Sequence, residues 1–274
     1  MKTLNSVIYS FLEHHPNDFD KCVDELRKLK HDFSYLVPDY NPIAAELSIL
    51  TKAQIRFIVK EHSVFAKEAI HFLTDSLICC HNWPNLAQEI QDNINEEKGS
   101  ETKGVPHIEM LRLGYKMDLG INTDRIKSSK TTQKFIAKMR HIFRHTENAY
   151  VAGALIALEG TAIPEFTIVD TIAKAYAGRI GKNEVLMGKT LTNLYIDGHK
   201  LFEIDHEAHL ISAIKPYITG DNIVNMIKGY FAVCLTMQLW WQELHVESYR
   251  RRIEAKLVSE LSEEVDVKAI FELS

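Results

Sequence analysis

Residues 96–107 read EEKGSETKGVPH. Two adjacent acids, Glu96 and Glu97, close one helical run. A Gly-bearing loop follows, and His107 stands just after Pro106, where the next helix can begin. Such a loop reverses the chain, so residues at the two helix ends can approach each other. His107 then shares a side with Met110, Leu111 and Tyr115. The stretch is either a solvated charge cluster beside an idle histidine or half of a metal site. Its spelling does not separate Glu96 from Glu97.

Three further stretches carry ionisable groups on apolar stripes, where loss of water must be offset by a partner. In NLYIDGHKLFEIDHEAHLISAI, residues 193–214, a turn of 100° per residue gathers Leu194, Leu201, Phe202, Ala208 and Ala213 on one face. Asp205 and His209 fall inside that face, one turn apart, and could share a divalent metal. His206 sits at its edge and His199 further round. A buried Asp–His hydrogen-bonded pair without metal is the competing reading. In NAYVAGALIALEGTAIPEF, residues 148–166, Glu159 interrupts a small-and-apolar run. A charged, unpaired carboxylate there would be destabilising by several kcal/mol, so it requires a cation, a proton or a metal from another helix. Glu165, beyond Pro164, is less constrained and is expected at the surface. In IRFIVKEHSVFAKEAIHFL, residues 55–73, Glu61 and Glu68 share a stripe with Phe65 and Phe72, and His62 lies on the neighbouring one. One of these three could reach an interior site.

The elements that must position these groups are helices. With 12 glycines and 7 prolines in 274 residues, and apolar spacings of three and four, the pattern predicts helical runs near 3–14, 18–31, 43–50, 52–80, 84–97, 106–118, 129–144, 146–163, 165–179, 190–215, 221–255 and 263–271. Pro42 and Pro84 suit first-turn positions, and Pro164 should kink or end its run. The economical architecture is all-α and single-domain: residues 42–274 form a helical bundle, and residues 1–41 pack on it as an N-terminal helical extension.

Bulk properties narrow the partners. The formal net charge is −5, with 46% hydrophobic and 25% charged residues, so nothing global attracts nucleic acid or an anionic membrane. Neither is expected as a partner. No apolar run is expected to approach the roughly 20 residues of a membrane helix. The opening MKTLNSVIYSFLEHHP does not read as a signal peptide. Cys22, Cys79, Cys80 and Cys234 form no CxxC unit, which suggests reduced thiols, a cytoplasmic location and no thiolate metal site. Trp240-Trp241 ahead of Arg250-Arg251-Arg252 could anchor an interface. One tryptophan is expected in the core and the other at a homodimer contact.

Taken together, carboxylates and imidazoles arrive from at least three helices, several at apolar positions. Inward-facing Glu and His on a bundle are how helical proteins hold paired iron or manganese ions. In order and spacing, NEEKGSETKGVPHIEML, GALIALEGTAIPE and FEIDHEAH resemble the heme-oxygenase-like di-iron oxidases and oxygenases. That family includes the chlamydial death-domain-associating protein and its relatives, close to the TenA/PqqC-like all-helical fold. The resemblance spans roughly residues 50–245 and implies a heme-oxygenase-like helical bundle. It further implies two Fe ions, with Mn possible in place of iron. The activity implied is an O2-activating oxidation of a small organic molecule such as an amino acid, amine or fatty acid. Carried across, Glu97 and His107 match the first acid–His unit, Glu159 the ALE ligand, and Asp205 and His209 the late-helix pair. Many members show His-x3-Asp-x2-His on the last helix. Taking His209 as its final histidine puts His206 where Asp is usual and Phe202 where the first His belongs. The sixth ligand is then His206 or an early-helix acid, Glu61 or Glu68. Tyr115, Tyr150 and Tyr195 could support the ligands. Two alternatives remain: a metal-free TenA-like enzyme needing a nucleophilic cysteine, for which Cys234 and Cys79 are the candidates, and a non-catalytic helical binding protein.

Overall fold

The computed structural model describes residues 4–14 and 18–271, and all of their side chains except those of 14, 204 and 258–271. Among the described residues there is no strand. The helices are α1 (Leu4–His14), α2 (Phe19–Leu29), α3 (Pro42–Ala45), α4 (Lys52–Cys80), α5 (Pro84–Glu97), α6 (His107–Asp118), α7 (Lys130–Phe143), α8 (Asn148–Ile180), α9 (Asn183–Leu186), α10 (Leu191–Ile214) and α11 (Ile223–Phe271). Short 3-10 turns join α2 to α3. The expected all-α, single-domain architecture is what the chain adopts, with one continuous apolar core from Phe11 to Leu244.

Local chemistry accounts for the helix ends. Thr51 and Gln54 form a reciprocal capping box at the start of α4. Pro42 and Pro84 occupy first-turn positions, where a missing N–H leaves nothing unsatisfied. The first turn of α10 is capped from outside: the Thr192 N–H and hydroxyl both donate to Asp118 Oδ2, at 2.7 and 2.8 Å. Gly181 ends α8 in the left-handed region at φ 75°, which glycine adopts without strain.

α8 and α11 form the central pair. They touch backbone to backbone at two glycines: a Cβ on Gly153 would overlap the Met226 carbonyl, and one on Gly229 would overlap the Tyr150 carbonyl. Against expectation, both helices contain stretches long and apolar enough to cross a membrane. About two thirds of the α8 stretch is buried inside the protein, 67%, because these helices cover each other. Trp240 and Trp241 are both core residues, 2% and 0% exposed, so neither is available to a dimer contact. The Trp240 indole N–H donates to Thr132 Oγ1 at 3.1 Å.

Three predicted boundaries differ. The run expected over 43–50 is helical only at Pro42–Ala45 and continues as turns. The two runs expected over 221–255 and 263–271 are one helix, α11. Pro164 does not end α8, which continues unbroken through it. A proline lacks the N–H that would bond the carbonyl four residues back, here Gly160. That freed carbonyl instead accepts from Lys30 Nζ, at 2.7 Å. The segment after α2 thus supplies the donor that the proline removed. Burial pushes the Lys30 ammonium below its ordinary pKa.

Candidate metal centre

Two adjoining groups of potential ligands lie in the bundle between α5, α6, α8 and α10. Glu97, His107 and His199 form one, and Glu159, Glu203 and His206 the other; within each, the donor atoms all lie within 4.8 Å of one another. The groups border a cavity of about 90 Å³ whose wall includes Glu97, Glu159, His199 and Glu203.

The loop quoted at the outset performs the predicted reversal. Gly99 and Gly104 take positive φ values of 97° and 83°, and a Cβ on Gly99 would collide with the Val105 backbone. His107 at the head of α6 therefore meets Glu97 at the end of α5, Nδ1 to Oε1 at 3.4 Å. Its other nitrogen faces Glu101 Oε2 at 3.3 Å. His199 Nδ1 donates to the Tyr195 carbonyl one turn back at 2.8 Å, which assigns the proton to that nitrogen. His199 Nε2 then has no hydrogen-bond partner and lies 3.9 Å from Glu97 Oε1. His206 Nε2 meets Glu96 Oε2 at 2.5 Å, and its Nδ1 lies 3.6 Å from Glu203 Oε2, itself without a hydrogen-bond partner. Each imidazole is tied by one nitrogen and offers the other. This arrangement orients histidines that hold metals. Glu96 and Glu97 are thus not interchangeable: Glu97 faces the first group, and Glu96 braces the second.

The electrostatics are those of carboxylates crowded together in a largely buried cluster. Burial pushes the Glu159 carboxyl well above its usual range, and the charges of Glu203 and Glu97 push it further. Burial would raise Glu97 too, but the adjacent imidazoles of His107 and His199 hold it down to about 2. Burial disfavours the His206 imidazolium, yet Glu203 and Glu96 raise it to about 9. The donors are three carboxylates and three imidazoles, buried except for the half-buried Glu97 and His206, with two orphaned atoms among them. Such an O/N set suits iron(II) or manganese rather than thiolate zinc.

Among the expected ligands, Glu97, His107, Glu159 and His206 are brought to these groups, and Asp205 and His209 are not. Asp205 is exposed, and the His209 side chain is 67% exposed and lies 3.9 Å from Glu89, outside both groups. The face of α10 was inverted: Leu194, Leu201 and Phe202 are 61%, 70% and 42% exposed, because the inner face is polar where it meets the site. The inner triplet is His199-x3-Glu203-x2-His206, the His-x3-acid-x2-His spacing with Glu in place of Asp. That spacing was the signal that could have found His199 and Glu203. Glu61 is buried but committed elsewhere. It accepts from the Ser129 N–H (3.1 Å to each oxygen) and hydroxyl (2.9 Å), at the N-terminus of α7. Glu68 is half-buried and outside both groups. Tyr195 borders the cavity, Tyr115 lies behind it against His62, and Tyr150 instead stacks on His145. Glu165, expected outside, is 7% exposed and faces the cavity.

Cys234 and Cys79 do not line the cavity. Burial pushes the Cys234 thiol up to about 12, which removes thiolate character.

The chain has relatives of known structure. Two crystal structures of a CADD-like protein of unknown function from Nostoc punctiforme, at 2.00 and 1.35 Å, are similar to it over most of its length. The first is 29% identical, covers 84% of this chain and 98% of its own, and superposes with a TM-score of 0.77. The second is 27% identical, covers 84% and 96%, and gives 0.72. No curated protein matches. A family described as a domain of unknown function with solved structures, DUF3865, matches residues 21–247, which include every residue of both ligand groups. The chain belongs to the DUF3865 family and has the all-α fold of its CADD-like relatives.

Proposed function

We propose that this protein is a non-haem di-iron, or iron–manganese, oxidase or oxygenase of the heme-oxygenase-like class, acting with O2 on a small organic substrate. The observation that carries the reading is the pair of buried orphaned donors, His199 Nε2 and Glu203 Oε2, each in a cluster that a cation would complete. Glu97, His107 and His199 would hold one ion, and Glu159, Glu203 and His206 the other. Bound there, reduced iron would supply electrons and an open coordination position for O2.

The chain's own residues do the rest. Glu101, Glu96 and the Tyr195 carbonyl fix the three imidazoles by their outer nitrogens. Phe65, Leu73, Leu158 and Phe166 line the cavity and exclude water from it. Burial keeps Tyr195 protonated, so it packs on His199 as a phenol, ring centres 4.0 Å apart. Free thiols at Cys22, Cys79, Cys80 and Cys234 suit a reducing, cytoplasmic setting.

Anaerobic loading with Fe(II), metal counting and O2-uptake measurement test the proposal. Two irons per chain and O2 uptake dependent on them are expected. Folded protein that takes up no iron would end the reading.

A further inference from the structure

The cavity wall carries further polar groups beyond the six ligands. Glu165 follows Glu159 by six residues on α8. Its carboxylate oxygen Oε1 is buried without a hydrogen-bond partner. His62, on α4, stands behind it, Nε2 to Oε1 at 3.7 Å. The Tyr115 hydroxyl, on α6, stands behind His62 at 3.4 Å from Nδ1. His62 and Tyr115 are 3% and 0% exposed. Much of the remaining wall is apolar, with Phe65, Ala66, Ala69, Leu158 and Phe166 among its residues. No lysine or arginine lines the cavity.

We propose that Glu165, backed by His62 and Tyr115, is the substrate-anchoring group of this site, and that it selects a short aliphatic molecule bearing an ammonium group. The inference rests on the proposed function for the cavity's role as a substrate site. A buried carboxyl with an unsatisfied oxygen is a place for a hydrogen-bond donor, and an ammonium bound there gains most, because the carboxyl then gives up its own proton to solvent and meets the cation as a carboxylate. With no cationic side chain in the wall, a substrate carboxylate finds no side-chain counter-charge there, whereas an ammonium does. The apolar wall takes the alkyl stem. A volume near 90 Å³ is below that of the cavity of about 150 Å³ that holds benzene, so the stem is short, on the order of three to five heavy atoms in all. Glu165 would face the substrate's nitrogen, leaving its carbons toward the ligand groups.

Calorimetric titration of metal-free and Zn(II)-loaded protein with n-propylamine, n-propanol and propionate tests this without turnover. Wild-type metal-free protein is expected to bind propylammonium in preference to both others. Glu165→Gln is expected to lose at least tenfold of that affinity, and Glu165→Asp to keep the preference for amine over alcohol. Metal counts of Glu165→Gln should equal those of wild type. Three results would overturn the assignment: preference of the wild type for propanol or propionate, unchanged affinity in Glu165→Gln, or lost metal in Glu165→Gln, which would make it a ligand instead. Should Glu165→Gln fail to fold, Glu165→Asp and the Zn(II)-loaded wild type, in which the other cavity acids are engaged, decide: loss of the amine preference in the loaded protein would overturn the assignment. If wild type takes up no metal yet ranks the amine first, and Glu165→Gln loses that preference, the redox reading falls and the anchor stands.

Discussion

The His199 Nδ1–H donates to the Tyr195 carbonyl one turn earlier, which leaves Nε2 without a hydrogen-bond partner, 3.9 Å from Glu97 Oε1. A single backbone contact therefore sets the tautomer of a proposed ligand inside the bundle. Replacing His199 or Glu203 with Ala should remove at least one of the two ions, while Asp205→Ala and His209→Ala should leave metal content as in wild type. Metal analysis of the four variants checks this. Equal loss in the Asp205 and His209 variants would restore the outer face of α10 as the ligand face.

Glu96 and Glu101 touch imidazole nitrogens that face away from the proposed ions. Partners of this kind typically contribute 10–100-fold to metal affinity. Glu96→Gln should weaken one ion and Glu101→Gln the other, each by roughly that factor, with helicity unchanged. Chelator competition reads the affinities. No change in either variant would mean that the ligands need no such bracing.

Burial drives Glu165 from 4.5 up to about 8 and His62 from 6.5 down to about 4. The two act on stability with opposite sign. The folded state holds the Glu165 proton that the unfolded chain has released above 4.5, so its contribution is lost as pH rises through 8. His62 acts the other way: below 6.5 the unfolded chain binds a proton that the folded state refuses, so stability falls as pH drops toward 4. Between pH 7 and 9 His62 is neutral in both states. Over that range the metal-free wild type should lose on the order of 1 kcal/mol more than Glu165→Gln. Denaturant midpoints at the two pH values would show it, and parallel profiles would contradict it.

Lys30 and Gly160 test how α8 tolerates its proline. Lys30→Met leaves the Gly160 carbonyl without its donor and should be destabilising by about 1–3 kcal/mol. In a Pro164→Ala background the restored N–H can satisfy that carbonyl, so the same lysine change should matter much less. A double-mutant cycle in urea measures the coupling. Strict additivity would rule the bond out as the reason.

At the crossing of α8 and α11, Gly153→Ala and Gly229→Ala each place a Cβ against backbone that cannot rotate aside. Overpacking of this kind destabilises by about 1–3 kcal/mol or more. Thermal melts should show a drop for both, and Gly178→Ala, where nothing lies within 4 Å, should not fall with them.

Much of this architecture was legible in the sequence, and the exceptions have physical causes. Turn residues and three-four spacing placed the helices carrying Glu97, His107 and Glu159. Those residues were found because each breaks a local pattern, by a reversal or by an acid in an apolar run. α10 misled because amphipathicity assumes that the apolar face is the inner one. A helix that lines a polar site breaks that assumption, and its Leu194, Leu201 and Phe202 face outward. Glu165 was misplaced for a related reason: a proline beside it suggested a helix end. The compensating donor, Lys30, lies far away in the chain. Glu61 shows the converse, a buried acid correctly singled out but spent on the N-terminus of α7.

The Lys30–Gly160 bond across Pro164 also bears on how such chains diverge. A proline at this point is tolerable only while a distant ammonium stands over the carbonyl it frees, and that ammonium has little reason to stay once the proline is gone. In an alignment of homologues the two positions, 134 residues apart in the numbering, should be gained and lost as a pair.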